Sequence, residues 1–281
     1  MPRSLDCAVC HHVSVLAPHH KWLVGGFVGY QDRVLSAARQ FWRTQVPVSA
    51  RSRINALRRK RREASWRRPR ELGELRRSTP FTTWGADRGG SIPRFYIAEF
   101  LQQHAEDIRG RVLEVASDRY IQQFGKGVSH IDILDIREDN PRATFVADFA
   151  DAPDVPANTF DCLVVTQILS WVYDLRAPFQ TAHRLLVPGG VFLATTPGIA
   201  RLAPIESKLF GEWWHFTSMA AKRVGEEVFG VGNVEVRAFG NVLAAAATLY
   251  GLGRYDLSRE ELAFHDPAFE VIVAIRAVKP L

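Results

Sequence analysis

The chain predicts an α/β fold, a mostly parallel seven-stranded sheet with helices on both faces. Three observations carry this. Short apolar runs alternate with helical patterns from about residue 110 onward, as in a sheet covered on both sides. Carboxylates recur at the ends of the first three runs. The last two runs flank an alanine-rich segment and are placed to close the sheet edge.

The elements follow in order. Ile92–Ile108 (IPRFYIAEFLQQHAEDI) has Pro93 at its entry and apolar residues at Phe95, Ile97, Ala98, Phe100, Leu101, Ala105 and Ile108, the stripe of an amphipathic helix. Strands are expected at Val112–Val115, His130–Asp135, Thr144–Ala147, Cys162–Thr166 and Val191–Thr195. A helix over Leu175–Leu186 separates the last two of these. Val234–Ala238 and Glu270–Val278 complete the sheet around a helix that follows Gly240. No internal repeat is visible.

The chain of 281 residues, 47% apolar and 23% charged, has the composition of a soluble globular protein. Its net charge of +6 is concentrated: Arg51–Arg77 holds twelve Arg/Lys against three Glu, a net of +9, which leaves about −3 for the rest. The longest apolar candidate, Val242–Leu252 with Gly251 inside it, reads as a buried helix, short of the roughly 18 residues a membrane span needs. The N-terminus shows no apolar signal-peptide core. Three cysteines, Cys7, Cys10 and Cys162, give no disulfide framework, so a reducing, cytoplasmic setting is expected. The sequence divides into a basic, flexible leader over residues 1–78 and a compact domain over 79–281.

Chemistry is expected at the carboxyl ends of the strands, where open α/β sheets bind ligands. Glu114 ends the first strand, Asp135 the second, and Asp148 follows the third. Asp135 can accept hydrogen bonds from ribose hydroxyls, and Asp148, with Phe149 beside it, from an exocyclic amine. The turn after the first strand is Ala116-Ser117-Asp118, without the glycines that cradle a pyrophosphate. A turn carrying Glu114 and Asp118 repels a dinucleotide and attracts a cation.

The run FDCLVVTQILSWVYDLRAPFQTAHRLLVPGGVFLATTPG resembles the fourth strand, helix and fifth strand of class I S-adenosylmethionine-dependent methyltransferases. Leu186-Val187-Pro188-Gly189-Gly190 matches their turn after the helix. Trp84-Gly85, Arg88-Gly89, Pro93, Trp214-His215-Phe216-Thr217 and Gly240-Asn241-Val242 are similar to segments of a bacterial subgroup often found beside glycosyltransferases. The resemblance implies a Rossmann-like methyltransferase fold over roughly Pro80–Lys279. It also implies S-adenosylmethionine as cofactor, lined by Glu114, Ala116, Asp118, Asp135, Ile136, Asp148, Phe149, Thr166 and Gln167. The cofactor's sulfonium fits the acidic, glycine-poor turn.

The implied reaction is methyl transfer to an oxygen nucleophile, a hydroxyl of a saccharide or glycoconjugate by analogy with the subgroup. Such a nucleophile needs a base. His215 is the first candidate, with Gln167, Tyr173 and Asp174 also near the fourth strand; a packing role between Trp214 and Phe216 is the competing reading. Trp213 and Trp214 suit core or lid packing, or stacking on a sugar. Trp84–Tyr96 reads as a lid presenting Arg88, Arg94 and Tyr96, or as a docking segment for the first helix. His183, in mid-helix, reads as structural. Two alternatives stand beside this: a non-catalytic scaffold that binds an anionic polymer through its leader, and a methyltransferase acting on a non-sugar small molecule.

In the leader, Cys7-Ala8-Val9-Cys10-His11 has the spacing of a haem-attachment site, and His12, His19 and His20 lie near it. Without an export signal the cluster reads as incidental, and no metal is expected. The Arg51–Arg77 run reads as a solvated linker or as a weak contact for an anionic polymer or membrane surface.

Overall fold

A computed structural model describes residues 75–82, 85 and 88–281. The Cys7–His20 cluster, Trp84 and most of the basic run lie outside the described residues.

The strands are β1 (Gly110–Val115), β2 (Val128–Asp135), β3 (Phe145–Val146), β4 (Phe160–Thr166), β5 (Leu186–Pro197), β6 (Val234–Phe239) and β7 (Ile272–Val278). They form one sheet in the order β3-β2-β1-β4-β5-β7-β6. The first five are parallel, and β7 runs antiparallel between β5 and β6. The chain therefore steps outward from β1 to β3, then returns to lay β4 on the other side of β1. This reversal opens a crevice at the carboxyl ends of β1 and β4, the place where open sheets take ligands.

Alternation along each strand feeds two cores. Val112, Cys162, Val164 and Leu193 face α1 (Ile92–Gln103), α2 (Arg119–Phe124) and α6 (Val242–Leu249). Leu113, Leu163, Val165 and Phe192 face α3 (Ala177–Leu185) and α5 (Ser218–Phe229). Two shorter helices, α4 (Glu206–Phe210) and α7 (Arg259–Ala263), lie in the connections. Burial holds the Cys162 thiol far above its ordinary pKa, so it is an inert core group. His183, the expected structural histidine, sets its ring edge-on to Phe229 at 5.2 Å.

Several boundaries differ from expectation, and three of them are set by side-chain hydrogen bonds. The first helix ends at Gln103 instead of Ile108. Asp107 is drawn to Arg276 of β7 by two hydrogen bonds of 2.8 and 3.1 Å, which turns Ala105–Asp107 into a 3-10 turn. The third strand keeps only Phe145 and Val146, because Thr144 uses its hydroxyl to accept from the Ile133 N–H. Glu270 falls outside β7, and its carboxylate binds Ser218 at the start of α5.

Candidate active site

At the end of β1 the chain turns through Ala116, whose φ of 68° is the left-handed conformation that glycine takes most easily. Its N–H stays on the sheet by donating to the Leu134 carbonyl at 2.8 Å. The small exposed side chain leaves this turn open to a ligand.

Glu114 does something other than face that ligand. It is 2% exposed, and its carboxylate accepts from the Tyr120 N–H (3.0 Å), the Ile121 N–H (2.9 Å) and the Ser117 hydroxyl (3.3 Å). It fastens the turn to the first residues of α2. Burial outweighs these hydrogen bonds and pushes its pKa to about 7. Asp118 is also committed, in a salt bridge with Arg142. The expected pair of open negative charges is thus replaced by one buried acid and one ion pair.

Asp135 is different. It is buried at the end of β2, where one oxygen accepts from the Arg137 N–H at 3.0 Å and the other from the Asn140 amide at 2.7 Å. A carboxylate offers about four acceptor positions, so this one retains capacity for a pair of hydroxyls. Asn140 also donates to the Ala116 carbonyl at 3.2 Å, which joins the β1 and β2 ends. Ile136 stands exposed beside them. The exposed Asp148 accepts from the Ala150 N–H at 2.9 Å. Phe149, expected at the ligand, is buried and stacked on Phe192 at 6.4 Å, a core group. At the end of β4, Thr166 is half-buried and Gln167 takes a φ of 63°. The Gln167 amide donates to Thr195 Oγ1 at 3.2 Å, which ties it to β5.

The other half of the site is the segment after β5. Trp213 and Trp214 both donate their N–H to the Ser170 carbonyl, at 2.8 and 3.3 Å, and Phe216 donates to the Pro197 carbonyl at 2.9 Å. The segment thereby bridges the ends of β4 and β5, with His215 between the two anchors. His215 Nε2 lies 3.3 Å from Glu212 Oε1, and the Glu212 side chain, only 6% exposed, also accepts from the Ala203 N–H at 2.7 Å. The His215 side chain is 29% exposed, so the dyad opens to solvent on the imidazole side. Glu212 escaped the sequence reading, and its signal was its position three residues before His215. Asn140 escaped it too, since only folding returns its loop to Asp135.

The remaining candidates separate by place. Asp174 accepts from the Arg176 N–H at 3.0 Å ahead of α3, a capping position. Tyr173, 68% exposed, meets Trp213 edge-on at 5.1 Å, and its carbonyl takes the Trp214 indole N–H at 3.1 Å. Tyr96 is fully buried, and Arg88 pairs with Asp256, so these two dock the segment before α1 instead of serving a lid. Arg94 is exposed on α1. Among the described residues, no group of three or more His, Cys, Asp or Glu is arranged to hold a metal.

Residues 97–224 match the family model of a methyltransferase domain. No curated protein matches the chain. Among solved structures, a SAM-dependent methyltransferase from Archaeoglobus fulgidus is 13% identical, with 66% of this chain and 94% of that one covered and a TM-score of 0.45. An S-adenosylmethionine-dependent methyltransferase from Mesorhizobium loti is 18% identical, with 65% and 98% covered and a TM-score of 0.44. Phosphoethanolamine N-methyltransferase 2 of Haemonchus contortus, solved with S-adenosyl-L-methionine, is 15% identical, with 66% and 53% covered and a TM-score of 0.44. The family match runs from α1 through the two strands that frame the crevice and on into α5. Residues 97–224, just under half of the chain, are thus similar to a methyltransferase domain, and the sheet that carries them is Rossmann-like and mostly parallel.

Proposed function

We propose that the protein transfers a methyl group from S-adenosylmethionine to an oxygen nucleophile, a hydroxyl of a saccharide or glycoconjugate. The observation that carries this reading is the His215–Glu212 dyad fixed over the ends of β4 and β5. The cofactor supplies a methyl group on a sulfonium, ready for in-line displacement. Asp135, with spare acceptor positions, holds the ribose hydroxyls, and the open turn at Ala116 admits the rest of the molecule.

The chain's own catalytic work is then proton removal and positioning. His215 takes the proton of the acceptor hydroxyl at one ring nitrogen. Glu212 holds the other and steadies the positive charge that forms. Trp213 and Tyr173 are exposed in the same region and meet edge-on at 5.1 Å, and the apolar face of a sugar stacks on such rings. A reducing, cytoplasmic setting fits the buried free thiol of Cys162.

Labelled methyl transfer from S-adenosylmethionine into a cell extract tests the reading. Label is expected in material released by glycosidases, and His215→Phe should lower the rate by roughly 10²–10⁴, the usual share of a general base. Cofactor binding by calorimetry should stay unchanged in that variant. Label on amines, or a Phe variant as fast as the wild type, would sink the proposed acceptor or the proposed base respectively.

A further inference from the structure

Beside the mouth of this site the molecule exposes apolar side chains that a surface would ordinarily hide. Ile205, at the entry of α4, and Leu209 lie four residues apart and share one face, and Leu202 precedes them in the irregular segment that leads into the helix. Ile205 is 70% and Leu209 69% exposed, and Leu202 is exposed as well. The opposite side of this short helix is the anchored one. Ala203 is buried, and Phe210 lies flat on Trp171 at 5.5 Å. The helix is thus fixed with its apolar face outward, the reverse of an ordinary surface helix.

The strip continues into aromatics. The Trp213 indole lies against Gly211, where an added Cβ would come within 2.6 Å of the ring. Tyr173 and Trp214 extend the cluster. Six large side chains exposed together exceed the scattered single residues of a normal surface and mark an interaction site.

We propose that this strip seats the protein on an anionic lipid surface. Its composition is that of the water–lipid boundary: an aliphatic row, tryptophan and tyrosine beside it, and Lys208 on the same helix with a stem long enough to reach headgroups. A saccharide would occupy the aromatic end and leave the aliphatic row unexplained. The charge of the chain is complementary to such a surface, with a net of +9 in Arg51–Arg77. Apolar insertion and a basic run are the two signals that stable peripheral binding requires. Among the described residues no helix is long and apolar enough to cross a membrane, so the contact is peripheral for this region. The seat stands whether or not His215 is the base.

Flotation of the full chain with vesicles tests it, using phosphatidylcholine alone and phosphatidylcholine mixed with phosphatidylglycerol. The wild type should float with the mixed vesicles and far less with the neutral ones. The double variant Ile205→Ser/Leu209→Ser should bind at least about tenfold more weakly, since two exposed anchors are lost. Val231→Ser, at an exposed turn before β6, should bind like the wild type and guards against a general loss of apolar surface. Circular dichroism checks that each variant is folded, as expected for substitutions at exposed positions. A wild type that floats with neither vesicle overturns the proposal, and so does a double variant that floats as well as the wild type. If sedimentation shows a dimer that the double variant dissociates while flotation is unaltered, the strip belongs to a second copy of the chain.

Discussion

Glu114 links the site to pH. Its folded pKa of about 7 lies above the 4.5 of an unperturbed glutamate, so between these values the folded chain keeps a proton that the unfolded chain releases. Stability from this group is fully present below pH 4.5 and is lost as pH rises through about 7, on the order of 3 kcal/mol in all. Urea denaturation of the wild type and of Glu114→Gln across that range should show a downward slope in the former that is missing from the latter. An identical slope in both would place the titrating group elsewhere. On the proposed reading, Asp135 governs affinity instead. Asp135→Ala should weaken S-adenosylmethionine binding by about 1–3 kcal/mol, because hydrogen-bonding hydroxyls lose a buried acceptor. Asp148→Ala should cost about 1 kcal/mol or less, since that carboxylate is exposed and bonded only within its own turn. Calorimetry separates the two, and equal losses would show that Asp148 meets the cofactor directly.

Elements were legible where their pattern was local. Strands β1, β2, β4 and β5 could be read because each is a β-branched apolar run bounded by polar turns. The Pro-Gly-Gly segment reads as a turn, yet it lies within β5 as a wide bulge. Leu186 pairs with Phe160 and Val191 with Cys162, so residues 187–190 stand opposite Asp161 alone. Gly189, at φ 78°, donates to the Lys279 carbonyl, and Gly190 accepts from the Lys279 N–H. A partner ninety residues away decides the outcome, and no local pattern records it. Helix α5 is faint in the sequence because Gly225 weakens its propensity; the packed fold supplies the reason for that glycine, since a Cβ there would come within 3.0 Å of Val234. The same logic identifies Gly198, past the end of β5. A Cβ there would lie 2.1 Å from the Glu270 carbonyl, at the crossing that also holds Phe216 and the start of α5. Gly198→Ala should therefore destabilise by about 1–3 kcal/mol or more in urea denaturation, as overpacking against backbone does. Unchanged stability would mean that the two chains can part without loss.

At the scale of the molecule, the question is where the folded domain begins. Residues just before α1 are fastened to the loop that follows α6. The Phe81 N–H donates to the Tyr250 carbonyl at 2.8 Å, the Thr82 hydroxyl to the Gly251 carbonyl at 2.7 Å, and Ser91 bridges Gly253. Backbone meets backbone so closely that a Cβ on Gly251 would lie 2.1 Å from the Thr82 carbonyl. Arg88 grips Asp256 with two nitrogens, and the Asp256 side chain is 1% exposed. Leu75 already packs on the core that contains α1 and α6. These contacts make the segment before α1 a strap that belongs to the fold, and they set two truncations apart. Removing residues 1–74 spares every one of them, and that protein should keep a single cooperative transition in urea. Removing residues 1–90 strands a buried carboxylate without its cation, a loss of about 3–5 kcal/mol by itself. Arg88→Met in the full chain isolates that term, and adding Asp256→Asn should recover part of it, because the uncompensated charge is then gone. Equal stability of the two truncated proteins in urea would show that the strap rides on the domain without supporting it, and that the ion pair is balanced by its own desolvation.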